Sequence, residues 1–293
     1  MLPRRILVIL LCVLFAAVAC QRAKKEDMPA TAVVEKLGPS AEVEHYTALV
    51  TARRNPPIDF AKMTDIYDNH LKTYVKAADQ RYGTKLAAAA EAAMQAGLAG
   101  DDPAVNGQTA EKSIQRAFIL TFLRSLQDLQ NDGSDRAAYT RVVAASWAVD
   151  SVADRRSQWV GKGRDFPDAF QRGLVELFAA VNDNAAARVS EAAGNVADFA
   201  DRMLLLSVLY ELKGLSDARG TDEGKAAEKI VEARIYYQSL QPDHQQRNKK
   251  GAATVSAQLA GDPADVDVGL VRTILRNDYL LELSGINPTL FGG

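Results

Sequence analysis

From Ser40 onward, apolar residues recur at intervals of three and four, and no stretch shows the strict alternation of a half-buried strand. The pattern predicts helices over 41–54, 58–81, 84–97, 104–131, 134–160, 166–190, 195–217, 222–240 and 264–284. A weaker pattern over 245–260 adds a short one. Chain breakers fall between these runs: Pro56-Pro57, Gly83, Gly97 to Gly100, Gly133, Gly161 to Gly163, Gly220 and Pro242. Asp102-Pro103 and Asp262-Pro263 each set a capping carboxylate before a proline at the first helical position. Ser134 and Thr221 are the expected caps of the helices that follow them, with Asp135, Asp222 and Glu223 favourable in the first turn.

The helical segments also repeat. Residues 115–129 align without gaps on 201–215, and a weaker third copy covers 272–283. All three fit Arg-x3-Leu-x2-Leu-x2-(Leu or Ile), headed by Arg116, Arg202 and Arg276. That spacing keeps the four positions on one helical stripe. Phe118, Ile119 and Phe122 in the first copy and Met203, Leu204 and Leu205 in the second lie outside the stripe. Helices apolar around most of their circumference belong at the centre of a bundle. The expected fold class is therefore all-α, a multi-helix bundle of antiparallel helices. It fills one domain over 41–293, with duplicated helical hairpins over 98–160, 185–240 and 259–286.

The first twenty residues break this pattern. Arg4 and Arg5 precede an unbroken apolar run from Ile6 to Val18. A spanning helix needs about 20 such residues, so this run reads as a signal peptide. It ends in Ala17-Val18-Ala19-Cys20, which resembles the lipobox of bacterial lipoprotein precursors. The resemblance implies cleavage between Ala19 and Cys20, a diacylglycerol thioether on Cys20 and a fatty-acyl chain such as palmitate on the new amine. Ala17 departs from the leucine most often found there. Gln21, a residue other than aspartate after the cysteine, implies an outer-membrane location facing the periplasm. Residues 20–40 then read as the lipidated cysteine and a flexible tether, reaching roughly 25 Å.

Composition narrows the function classes. Of 293 residues, 47% are hydrophobic and 25% charged, which excludes disordered and fibrous classes. Thirty-five basic residues against 37 acidic give no bulk charge for nucleic acid. Loss of Arg4 and Arg5 with the signal lowers the basic count to 33 and leaves a mature net of −4. Cys12 leaves with it and Cys20 is consumed by lipid, so thiol catalysis, disulfides and cysteine-ligated metals are excluded on this reading.

Candidate chemistry is sparse. No P-loop, Rossmann fingerprint, haem-attachment or zincin motif occurs, and no catalytic residues or cofactors are implied. Tyr67, His70 and Tyr74 at i, i+3 and i+7 share a helical face that either lines a ligand pocket or edges a packed surface. Glu42 and His45, spaced E-x-x-H, offer with His70 a weak metal alternative. Arg116, Arg202 and Arg276 either pair with carboxylates such as Asp198 and Asp201 or converge on an anionic ligand. Gly161-Lys162-Gly163-Arg164 is a connector or an anion-holding loop, and His244 reads as loop surface. The leading expectation is a lipid-anchored envelope protein that serves as a helical binding or scaffold module for a protein partner. The alternative is a small-molecule- or metal-binding component of an uptake system, and an enzyme comes third.

Overall fold

The structure, a computed structural model, describes residues 40–160 and 166–279. Residues 1–39, with the expected signal, the lipobox and Cys20, lie outside the described residues, as do 161–165 and the end of the third repeat copy. Among the described residues the fold is all-α with no strand, and no helix is long and apolar enough to cross a membrane.

The helices are α1 (Ala41–Arg54), α2 (Phe60–Ile66), a π turn (Tyr67–Leu71), α3 (Lys72–Tyr82), α4 (Leu86–Leu98), α5 (Pro103–Asn131) and α6 (Arg136–Ala145). They continue with α7 (Trp147–Val160), α8 (Phe166–Asn182), α9 (Ala186–Ala218), α10 (Glu223–Arg247), α11 (Lys249–Ala260) and α12 (Val268–Asp278). Asp102 caps α5 through Val105 N–H with Pro103 in the first turn, as its sequence predicts. Asp79, near the end of α3, accepts from the N–H groups of Leu86 and Ala87 at 2.7 and 2.9 Å and so starts α4. Gly97 allows α4 to lie against α2: a Cβ there would sit 2.2 Å from the Phe60 ring.

Several boundaries differ from the sequence expectation, each for a local reason. Asp135 and Asp222, not Ser134 and Thr221, cap α6 and α10. The Ser134 hydroxyl donates to Asp132 at 2.5 Å and that of Thr221 to the Ala218 carbonyl at 2.9 Å. Asp262 only closes a turn with Asp265, and Asp267 caps α12 instead. The segment expected as one helix over 134–160 divides between α6 and α7 at Ser146. Asn184, at φ 51°, turns the chain between α8 and α9 where one helix was expected to run on; asparagine tolerates that conformation. Pro242 does not end α10. It lacks the N–H that would reach the Gln238 carbonyl, and Arg116 supplies that donor from α5 at 3.2 Å.

Helices α5, α9 and α10 pack on one another at the centre. Lys112 of α5 meets Tyr236 of α10, and Glu211 of α9 meets Lys229 of α10, so α9 runs antiparallel to the other two. The two stronger repeat copies lie on α5 and α9. Their stripe residues Leu120, Leu126, Leu206, Leu209 and Leu212 are buried in the core. Burying a leucine of this kind contributes about 2 kcal/mol. A second apolar cluster joins the C-terminal half of α5 to α6, α8 and the N-terminal half of α9 through Phe122, Val142, Phe170 and Val196.

Candidate functional site

Because α5 is central, its polar residues are buried with its apolar ones, Glu111 and Lys112 among them. A buried charge must be paired. Glu111 takes an ion pair from Arg53 of α1, the Lys112 ammonium at 3.2 Å and the Tyr46 hydroxyl at 3.5 Å. Lys112 also donates to Gln115 at 2.9 Å and to the Tyr236 hydroxyl at 3.4 Å, and lies 3.6 Å from Glu232. Opposite it on α9, buried Glu211 accepts from Arg156 of α7 at 3.1 Å and from Lys229 at 2.6 Å. Lys229 reaches Glu232 as well, at 2.8 Å. Arg156 also donates to Ser207 at 3.0 Å, and its guanidinium lies 4.1 Å from the Tyr210 ring centre.

These groups border a cleft of about 470 Å³, within the range of ligand pockets. Arg53, Arg54, Lys112, Arg155, Arg156 and Lys229 line it, with Trp159, Tyr210 and Tyr236 as its aromatic wall. Six cations meet two carboxylates in the lining, Glu211 and Glu232, and a third behind it, Glu111. Fully ionised, the cluster holds an excess of three positive charges. Half-buried Arg155 donates to the Tyr236 hydroxyl at 3.2 Å and has no ion pair among the described residues.

The field inside the cleft shifts its own groups. Burial disfavours the charged forms of Glu111 and Lys112, but Lys112 and Arg53 hold Glu111 below the usual carboxylate range. Tyr236, Glu111 and Glu232 hold Lys112 above its ordinary value. Burial also opposes ionisation of Glu232, yet Lys112 and Lys229 outweigh it and hold that carboxyl well down. Glu211 goes the other way: burial, then the nearby Glu232 charge, push it up to about 7. The two carboxyls titrate as a pair astride the Lys229 ammonium.

The sequence-predicted site residues are distributed elsewhere. The π turn inserts an extra residue per turn, so Tyr67, His70 and Tyr74 do not share a pocket face. Tyr67 is in the core, Tyr74 stacks on Phe118 at 4.4 Å, and His70 stands exposed. His70 stacks on His45 with ring centres 3.7 Å apart and planes at 4°. Imidazole lone pairs lie in the ring plane, so those of two parallel rings 3.7 Å apart do not converge on one ion. Among the described residues no group of three His, Cys, Asp or Glu is placed for a metal, so the Glu42, His45 and His70 set does not form. Arg116 donates to the side chain and carbonyl of Gln238, and not to a carboxylate of Asp198 or Asp201. Arg202 is half-buried on α9, and Arg276 is exposed near the end of α12. His244 is fully buried inside α10, not on a loop surface. The basic loop at Gly161 lies outside the described residues.

The cleft residues escaped sequence reading because they come from α1, α5, α7, α9 and α10, with no spacing in common. One signal was present: Glu111 and Lys112 lie in a helix apolar around most of its circumference, so both had to be buried and paired. At the other end of the same three central helices, Arg124, Asp198, Asp201 and Asp243 border a smaller, acidic cleft of about 220 Å³. Comparison with protein-family models, with curated proteins and with solved structures gives no match.

Proposed function

We propose that the chain is a lipid-anchored, all-α binding protein of the bacterial envelope that takes a small anionic ligand in the basic cleft between α1, α5, α7, α9 and α10. The observation that carries this reading is the excess of positive charge lining the cleft around half-buried Arg155. Proteins pair their buried charges, and a cation cluster short of carboxylates inside a concave site is matched by an anion from outside. The activity is non-covalent. This moves binding from the partner surface expected from the sequence into a pocket.

Two experiments test the two halves of the proposal. Phosphate, sulfate, succinate and citrate are titrated into the full chain in neutral detergent, and at least one should raise the melting midpoint in a saturable way. If none does, with calorimetry also silent, the cleft is not an anion site. For the anchor, Cys20→Ser should abolish fatty-acid labelling and membrane association in a bacterial host, since two or three acyl chains hold a protein where one does not. Retention of both in the variant would remove the lipoprotein assignment.

A further inference from the structure

The cleft contains two carboxylates as well as its cations, and this bears on which anion fits. Glu232 lies on its wall, with its side chain 15% exposed against 2% for Glu211, so Glu232 is the carboxylate that an entering ligand meets. Lys229 occupies one of its oxygens at 2.8 Å and Lys112 approaches the other at 3.6 Å. The Glu211 carboxyl also hydrogen-bonds to Glu232, and since a carboxylate can accept about four hydrogen bonds, acceptor capacity still remains. Facing a bound anion, that oxygen repels any ligand that offers only acceptors. It attracts a ligand that presents an O–H beside its negative oxygens.

We propose that the ligand is a hydrogen-bearing oxyanion of the inorganic phosphate type, its negative oxygens held by Arg155, Arg156 and Lys229 and its hydroxyl donated to Glu232. This rests on the anion-binding reading of the cleft and names the ligand class for it. Inorganic phosphate keeps at least one P–OH throughout the neutral range. Sulfate and phosphodiesters, including ordinary phospholipid headgroups, keep none. A phosphomonoester loses its last proton near pH 6 and ranks between them at pH 7.5. Glu232 is ionised under the field of Lys112 and Lys229, which suits it to accept and not to donate.

The test is competitive calorimetry on the full chain in neutral detergent at pH 7.5, with inorganic phosphate, sulfate, succinate, dimethyl phosphate and dihexanoyl phosphatidate as probes. The wild type should prefer phosphate to sulfate and to the diester on the order of 100-fold, the effect of leaving one hydrogen bond to a charged group unmade. Phosphatidate, the lipid-borne monoester, should displace phosphate only at higher concentration; tighter binding of phosphatidate overturns the free-phosphate assignment. Glu232→Gln puts an amide donor on the wall, and the preference over sulfate should fall below about tenfold. Equal binding of sulfate by the wild type overturns the proposal without any variant. Binding of succinate with no binding of phosphate also overturns it while leaving the anion cleft intact. Failure of every anion removes the cleft reading itself.

Discussion

Two polar clusters lie along α10, and they differ in completeness. Toward its C-terminal end, buried His244 contacts the Tyr237 hydroxyl and the Asp278 carboxylate at 2.9 and 2.8 Å. Tyr237 donates to the Ala252 carbonyl, Asn248 donates to Asp278, and Tyr279 donates to Asp243. Each of these groups has a partner within the chain, and the result ties α11 and α12 onto α10. Nearer the N-terminal end, the basic cleft gathers six cations for three carboxylates and leaves Arg155 with a tyrosine hydroxyl. Both clusters are polar, the first sealed around buried His244 and the second open as a cleft. What separates a fastening from a binding site here is the balance of charge and hydrogen-bond partners inside the chain.

The contrast breaks most visibly at His244. His244→Ala should cost about 3 kcal/mol in chemical denaturation, since it opens a hole and takes one partner each from Tyr237 and Asp278. Anion affinity should stay within about twofold, as the cleft is not touched. A large loss of affinity at full folding would show that the two clusters are coupled.

The next effect is a dependence on pH. Glu211 is pushed up to about 7 from an ordinary 4.5, first by burial and then by Glu232. The folded chain therefore holds this proton more tightly than the unfolded chain. Its contribution is fully present below about pH 4.5 and is lost as pH rises through about 7. Glu111 and Glu232 are shifted down and act with the opposite sign, at pH values below about 4.5. Glu211→Gln should thus flatten the fall in stability between pH 5 and pH 7.5, measured by urea denaturation at each pH. An unchanged slope would place the proton elsewhere.

A smaller effect belongs to Arg116, which serves the fastening side of the comparison. It fills the gap that Pro242 leaves in α10, so Arg116→Ala should lower stability by at least about 1 kcal/mol. An unchanged melting midpoint would remove that role.

Much of the fold was legible because helix-period hydrophobicity and caps are local. Ala41–Arg54 and the start at Pro103 fall where the pattern places them. The errors are tertiary overrides. Pro242 reads as a breaker until a donor arrives from α5, and His244 reads as surface because that helix was expected to stop before it. The Tyr67 face fails because a π turn changes the residue spacing on which the face was counted. The cleft itself was hardly legible: Arg53, Arg155, Glu211 and Lys229 are separated by up to the greater part of the domain, and only packing brings them together. Glu111 and Lys112 were the local hint.

The incompleteness of the basic cleft is tested most directly by melting the full chain across a phosphate titration, with Arg155→Met beside the wild type. An anion-completed cleft predicts a saturable rise in the wild-type midpoint. It also predicts a variant that folds within about 1 kcal/mol of the wild type and shows no such rise, since the substitution keeps the apolar stem and removes a charge without an ion pair and its one hydrogen bond to Tyr236. Parallel rises in both proteins, or no rise in either, would contradict it.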